Sequence, residues 1–178
     1  DGGPSVAVGA VEQTQFAAAL EVETLRTLWR AHARHERDAG RLLELVNDDL
    51  WGGSTETAAA NLLVLRAAGD GTLALAAAGR PQAALLGPQK AERIAIAAAP
   101  LGIDPEARYK TTTVRPAAGE IVVASDDDRL LARLVAAWPS ASSQQTAPVT
   151  AARWLDRLVG LLGDDQPHGT LVVLRRKS

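Results

Sequence analysis

The 178-residue chain carries 19 Lys and Arg against 21 Asp and Glu, a net charge of −2, and is 47 % apolar with only 3 % aromatic residues. A chain of this size builds one domain with a sizeable core, and its balanced, interspersed charge gives no basic footprint for nucleic acid. It has no cysteine, which excludes disulfides, thiolate metal ligands and a cysteine nucleophile.

Val6 and Val8, with small residues around them, predict a short buried strand ending at Gly9. From Thr14 to Arg37 the period becomes helical: Phe16, Leu20, Leu25, Leu28 and Trp29 recur at spacings near three and four, with charges on the other face. Asp38 suits the N-cap of a second helix whose stripe is Leu42, Leu43, Leu45, Val46 and Leu50, stopped by Trp51-Gly52-Gly53-Ser54. The period then changes to two. Ala58 to Ala67 predicts a strand with Leu63 and Leu65 on one face and Leu62 and Val64 on the other. Gly69-Asp70-Gly71 turns it into a return strand over Thr72 to Ala78.

Gly79-Arg80-Pro81 punctuates the chain, Gln82 to Leu86 extends again, and Gly87-Pro88 is a further turn. Short strands are expected over Arg93 to Ala97, with Ile94 and Ile96 on one face, and over Tyr109 to Val114. Glu120 to Ala124 has the continuous apolar run of a central strand. Ser125 or Asp126 then caps a helix through Leu130, Leu131, Leu134 and Val135, ended by Trp138-Pro139. Ser140 to Pro148 reads as a mobile loop, Ala151 to Leu162 as an amphipathic helix, and Leu171 to Leu174 as a last strand before a basic tail. Two helices, a run of antiparallel strands, two helices and a strand predict an α+β layered domain, with the four Trp residues as core or sheet-facing anchors.

No apolar run approaches the roughly 18 residues of a bilayer span. Asp1 to Ala10 lacks the basic n-region of a secretory signal, so a cytoplasmic protein without a membrane or nucleic-acid partner is expected. A start at Asp1 rather than Met reads as a piece of a longer protein. Among chemistry-bearing residues, Asp126-Asp127-Asp128 could gather a metal or could simply cap a helix and favour its dipole. His32 and His35 have a spacing that can share a metal, but Arg30, Arg34 and Arg37 around them repel a cation. Ser125 has no nucleophile elbow around it, and Gly69-Asp70-Gly71 lacks the strand–glycine–helix order of a phosphate cradle.

Five motifs stand in one order: Leu43 to Asn47, a helix ending leucine-x-x-x-asparagine; Ala78-Gly79-Arg80-Pro81; Pro100-Leu101-Gly102-Ile103; Pro116 to Glu120; and Ser125-Asp126-Asp127 after the strand Ile121 to Ala124. This succession resembles the metal-dependent serine/threonine protein phosphatases, in the branch of the stage II sporulation protein E and the sigma-regulator phosphatases. The resemblance covers nearly the whole chain. It implies an α-β-β-α sandwich of antiparallel sheets flanked by helices. Residues 1–178 would form a single phosphatase-like domain, the C-terminal part of a longer protein and lacking its first strand or strands.

In that family carboxylates from separate loops hold two Mg²⁺ or Mn²⁺ ions, which activate water against a phosphoserine or phosphothreonine. Such hard cations need several oxygen ligands. Position by position, the Gly-Asp-Val that carries one ligand is here Gly9-Ala10-Val11, and the glycine-rich turn after it is Glu12-Gln13-Thr14-Gln15. Asp126 matches the aspartate of Thr-Asp-Gly. The acidic pair expected directly before Leu171 is replaced by Pro167-His168-Gly169, with Asp164 and Asp165 a few residues early.

The candidate metal ligands are therefore Asp126 and Asp165, and the resemblance leaves three readings open. The first is a pseudophosphatase that binds a phosphoprotein or an anti-sigma-factor antagonist in partner switching. The second is an active Mn²⁺- or Mg²⁺-dependent phosphatase with a rearranged site. The third is a structural domain that oligomerises, for instance as a homodimer.

Overall fold

A computed structural model describes residues 4–11, 15–53, 59–88, 90–96, 98–142, 150–162 and 169–175. In chain order the elements are β1 (Ser5–Val11), α1 (Gln15–Ala33), α2 (Ala39–Gly53), β2 (Ala60–Ala67), β3 (Leu73–Ala78), β4 (Gln82–Leu86), β5 (Ala91–Ile94), β6 (Thr112–Val114), β7 (Ile121–Ser125), α3 (Asp128–Ser142), α4 (Ala151–Leu162) and β8 (Leu171–Arg175). The strands form two four-stranded antiparallel sheets, in the orders β1-β2-β3-β6 and β5-β4-β7-β8. Helices α1 and α2 cover the outer face of the first sheet, α3 and α4 that of the second, and the inner faces pack on each other. This is the expected α-β-β-α sandwich.

The period-two reading of β2 explains why the layers stack. Leu62 and Val64 pack beneath α2, while Leu63 and Leu65 enter the layer between the sheets with Ile94, Ile96 and Val122. Both faces are covered, so all four side chains are buried. Each fully buried Leu or Val contributes about 1.5–3 kcal/mol to the layer. Ala76, Ala78, Ala83 and Ala84 are fully buried too. Their small side chains let helix and sheet approach closely, as the Ala-rich composition predicts.

Asp38 caps α2 as expected: its Oδ1 accepts the Arg41 N–H at 2.8 Å. Midway along that helix, Asn47 is 1 % exposed. Its Oδ1 accepts the Gly102 N–H and its Nδ2 donates to the Asp104 carbonyl, both at 2.8 Å. The asparagine of the leucine-x-x-x-asparagine motif thus fastens the Pro100-to-Ile103 turn, whose Gly102 has a φ of 77°. A buried amide with both ends satisfied fixes one arrangement of helix and turn.

Several boundaries differ from the sequence expectation; α1 ends at Ala33 rather than Arg37 and β2 starts at Ala60 rather than Ala58. The strand predicted over Tyr109 to Val114 is confined to Thr112–Val114, because the preceding residues run across the start of α2 instead. There the Gly40 N–H donates to Thr111 Oγ1 at 2.8 Å, and a Cβ on Gly40 would lie 1.9 Å from the Tyr109 carbonyl oxygen. The strand expected at Arg93 sits earlier, at Ala91–Ile94, drawn there by pairing with β4.

Helix α3 does not stop at Trp138-Pro139 but continues to Ser142. A proline near a helix end removes only one N–H bond, and Trp138 anchors that turn. Trp138 is fully buried, its indole N–H donates to the Gly87 carbonyl at 2.7 Å, and its ring meets Trp154 at a centroid separation of 5.1 Å. Trp51, by contrast, is 46 % exposed and no core anchor. The mobile loop expected over Ser140 to Pro148 falls mostly outside the described residues.

Two predictions follow from these anchors. Trp138→Ala should cost about 3–5 kcal/mol in urea unfolding. Trp138→Phe, which keeps the ring but leaves the Gly87 carbonyl without its partner, should cost about 1–3 kcal/mol. The Tyr109 hydroxyl is pushed up to about 12, by burial first and then by Asp104, Glu44 and Asp48. Since the folded value is raised above the ordinary 10.0, its stability contribution is complete below that pH and is lost as pH rises through the folded value. Tyr109→Phe should therefore flatten the alkaline fall in stability over that window, measured by denaturant titration at successive pH values.

Candidate functional site

The two sheets bring one set of strand ends to the same end of the sandwich. In the first sheet, Ala10 of β1 pairs with Asn61 of β2, and Leu62 pairs with Ala78 at the end of β3. The chain then crosses to the second sheet through Gly79, Arg80 and Pro81. There Gln82 of β4 pairs with Ser125 of β7, and Ser125 with Leu171 of β8. Ala10, Asn61, Arg80, Asp126 and Thr170 thus share one rim. This is where the resemblance expects a metal centre.

Asn61 organises the first half of the rim. It is 2 % exposed, and its Oδ1 accepts the Arg80 N–H at 3.0 Å. Gly79 has a φ of +76°, and a Cβ there would lie 1.9 Å from that same oxygen. The glycine is required on both counts: the left-handed conformation suits it and the carboxamide leaves no room for a side chain. The Gly79 N–H donates to the Ala98 carbonyl at 3.0 Å, while Ala60 and Leu101 exchange backbone bonds of 3.1 and 2.9 Å. Two of the sequence motifs therefore act as joinery, holding the Ala-Gly-Arg-Pro corner against the Pro-Leu-Gly-Ile turn.

The acidic triplet divides into three separate roles. Asp127, rather than Ser125 or Asp126, caps α3: its Oδ1 accepts the Arg129 and Leu130 N–H groups at 2.8 and 3.4 Å, and its own N–H donates to Ser125 Oγ at 3.1 Å. Asp128 pairs with Arg93 of β5. Asp126 remains on the rim, where its Oδ1 accepts the Thr170 N–H at 2.6 Å and ties the α3 loop to the start of β8. Gly169 makes that approach possible, since a Cβ on it would sit 3.0 Å from Asp127 Cβ and 3.2 Å from Asp126 Oδ1.

Do these residues fit a pair of divalent cations? Ala10 offers a methyl group where a ligand is needed, and it borders a largely apolar cavity of about 280 Å³ with Gly9, Val22, Leu25 and Trp29. One oxygen of Asp126 already takes a backbone N–H. Among the described residues no group of three or more His, Cys, Asp or Glu side chains converges to hold a metal. A two-metal centre needs several oxygens on each ion, and the described rim does not supply them. Glu12 to Thr14, Asp164, Asp165 and His168 lie outside the described residues.

His32 and His35 do not form a shared site. His32 Nε2 is 2.7 Å from Asp49 Oδ2 of α2, and His35 lies in the turn beyond α1. Sequence reasoning missed Asn61, Gly169 and Thr170. The first works across 19 residues, on Arg80, and the others meet a loop 44 residues earlier, so no local spacing marks them.

The sequence profile of the stage II sporulation protein E family matches residues 2–127. No curated protein sequence matches the chain. Among solved structures, the SiaA-PP2C domain of Pseudomonas aeruginosa superposes with a TM-score of 0.71 at 14 % identity, covering 98 % of this chain and 76 % of that one. A Mycobacterium tuberculosis chain with RsbU and RsbW domains gives 0.68 at 19 % identity, covering 95 % of this chain and 50 % of its own. RsbX, solved in complex with magnesium, gives 0.62 at 16 % identity, covering 89 % and 71 %. At these identities the superpositions establish the fold.

The Asn61–Gly79 contact makes a double-mutant prediction. Gly79→Ala should destabilise the domain by more than about 1–2 kcal/mol, because it adds a steric clash to the left-handed cost. Combining it with Asn61→Ala removes the clash. The double variant should then be more stable than the sum of the singles by about 0.5–3 kcal/mol in chemical denaturation.

Proposed function

This chain belongs to the stage II sporulation protein E family, and from that premise we propose that it is a pseudophosphatase: a phosphatase-fold domain kept as a regulatory binding module. The observation that carries the reading is the rim itself. Ala10 supplies no ligand, and Asp126, the carboxylate matched to the family's Thr-Asp-Gly motif, serves as a hydrogen-bond acceptor joining two loops. Among the described residues, Asn61 and Gly79 stabilise the corner and Asp126 and Asp127 the α3 loop.

The partner on this reading is a phosphoprotein or an antagonist of an anti-sigma factor, engaged without turnover. Support comes from the fold shared with a chain that couples RsbU and RsbW domains and with a protein of the bacterial stressosome. Without metals, binding must rest on shape and on hydrogen bonds from the rim.

The rival reading, an active Mn²⁺- or Mg²⁺-dependent enzyme, requires Asp126 and Asp165 to assemble a rearranged centre. Hydrolysis of p-nitrophenyl phosphate and of a phosphoserine peptide, with added Mn²⁺ or Mg²⁺, separates the two. The pseudophosphatase gives no turnover above that of the Asp126→Ala variant. Turnover in the unaltered chain that Asp126→Ala abolishes would establish the active enzyme instead.

A further inference from the structure

The segment from Arg26 to Arg41 differs in charge from the rest of the molecule. It holds five arginines against Glu36 and Asp38, a net +3, so the remaining residues carry −5. The two outermost arginines are neutralised locally, Arg26 by Glu23 at 2.9 Å and Arg41 by Glu44 at 2.7 Å. Arg30, Arg34 and Arg37 are exposed and have no carboxylate partner among the described residues. Arg30 lies in the last turn of α1, and Arg34 and Arg37 follow in the short connection between Ala33 and the start of α2 at Ala39.

The helix dipole accounts for part of this, since cations are favoured beside the last carbonyls of a helix. That role is already filled, however, by Arg66 of β2, whose Nη2 donates to the Ala33 carbonyl at 2.8 Å. Its Nε is a buried donor without a partner among the described residues. Burial holds the Arg66 guanidinium below its ordinary pKa, and the charge of Arg37 adds to that, opposed by Glu36 and Asp38. Arg37 lies beyond the helix, adds positive charge near a cation already in place and has no carboxylate partner among the described residues.

We infer that the exposed ridge of Arg30, Arg34 and Arg37 is a docking surface for an acidic segment of a partner protein. An acidic peptide can place single carboxylates on separate guanidiniums, each taking a charge-assisted pair. The carboxylates around the ridge, Glu23, Glu36, Asp38 and Asp49, argue against nucleic acid, whose continuous phosphate backbone could not avoid them. The surface is separate from the Ala10–Asp126 rim, so this inference stands whether or not the rim turns over substrate.

The test uses the whole chain and a fluorescein-labelled oligoglutamate peptide, with anisotropy as the readout. Binding should be measurable at about 0.01 M salt and weaken at about 0.15 M, where the screening length falls from about 30 Å to about 8 Å. The triple variant Arg30→Gln, Arg34→Gln, Arg37→Gln should bind at least about tenfold more weakly. A control triple elsewhere on the surface, Lys110→Gln, Arg129→Gln, Arg153→Gln, should retain the wild-type affinity. Equal weakening by both triples, or no binding at low salt, would overturn the inference. Ridge-dependent binding of a single-stranded oligonucleotide tighter than that of the peptide would overturn the choice of partner. Unfolding curves of both triples beside the wild type separate lost docking from lost fold.

Discussion

Everything at the functional end depends on a corner of three residues. The chain leaves the first sheet at Ala78 and enters the second at Gln82, so Gly79, Arg80 and Pro81 must turn it between layers. The turn demands a left-handed residue at its first position, a backbone N–H partner at its second, and a residue that can follow without donating at its third. Glycine, the Asn61 carboxamide and proline meet these demands in turn. Because Asn61 also pairs through its backbone with Ala10, the corner fixes the edge strand, the crossover and the start of β4 together. The position of Asp126 follows, since β7 takes its register from β4.

Much of the fold was legible because it is written in periodicity. The two faces of β2, the stripe of α2 and the bounds of α4 follow from spacing alone, and the structure places Leu62 and Leu63 on opposite faces as that spacing requires. What was not legible depends on partners distant in sequence. Tyr109 has the alternation of a strand residue, yet the chain there spends its polar groups on α2 through Thr111 and Gly40. Ser125, Asp126 and Asp127 are all competent caps. Only the path of the following strand decides among them, by drawing Asp126 onto Thr170 and leaving Asp127 to the helix.

The same distinction separates the family's motifs into two kinds. The leucine-x-x-x-asparagine, Ala-Gly-Arg-Pro and Pro-Leu-Gly-Ile elements lock to one another through Asn47, Gly102, Gly79 and Leu101. In this chain they act as constraints on folding. The aspartate motifs answer to the cation. Where a carboxylate also has structural work, as Asp126 and Asp127 do, it can survive the loss of metal chemistry.

Position 10 shows the opposite case. Its pairing with Asn61 is made by the backbone, which any side chain leaves intact. A carboxylate there would border the largely apolar cavity beneath α1 and, without a cation, would carry a desolvation penalty against that lining. A methyl group carries none. On the proposed reading, alanine at this strand end avoids that penalty while the frame of corner, turn and capped helix is kept.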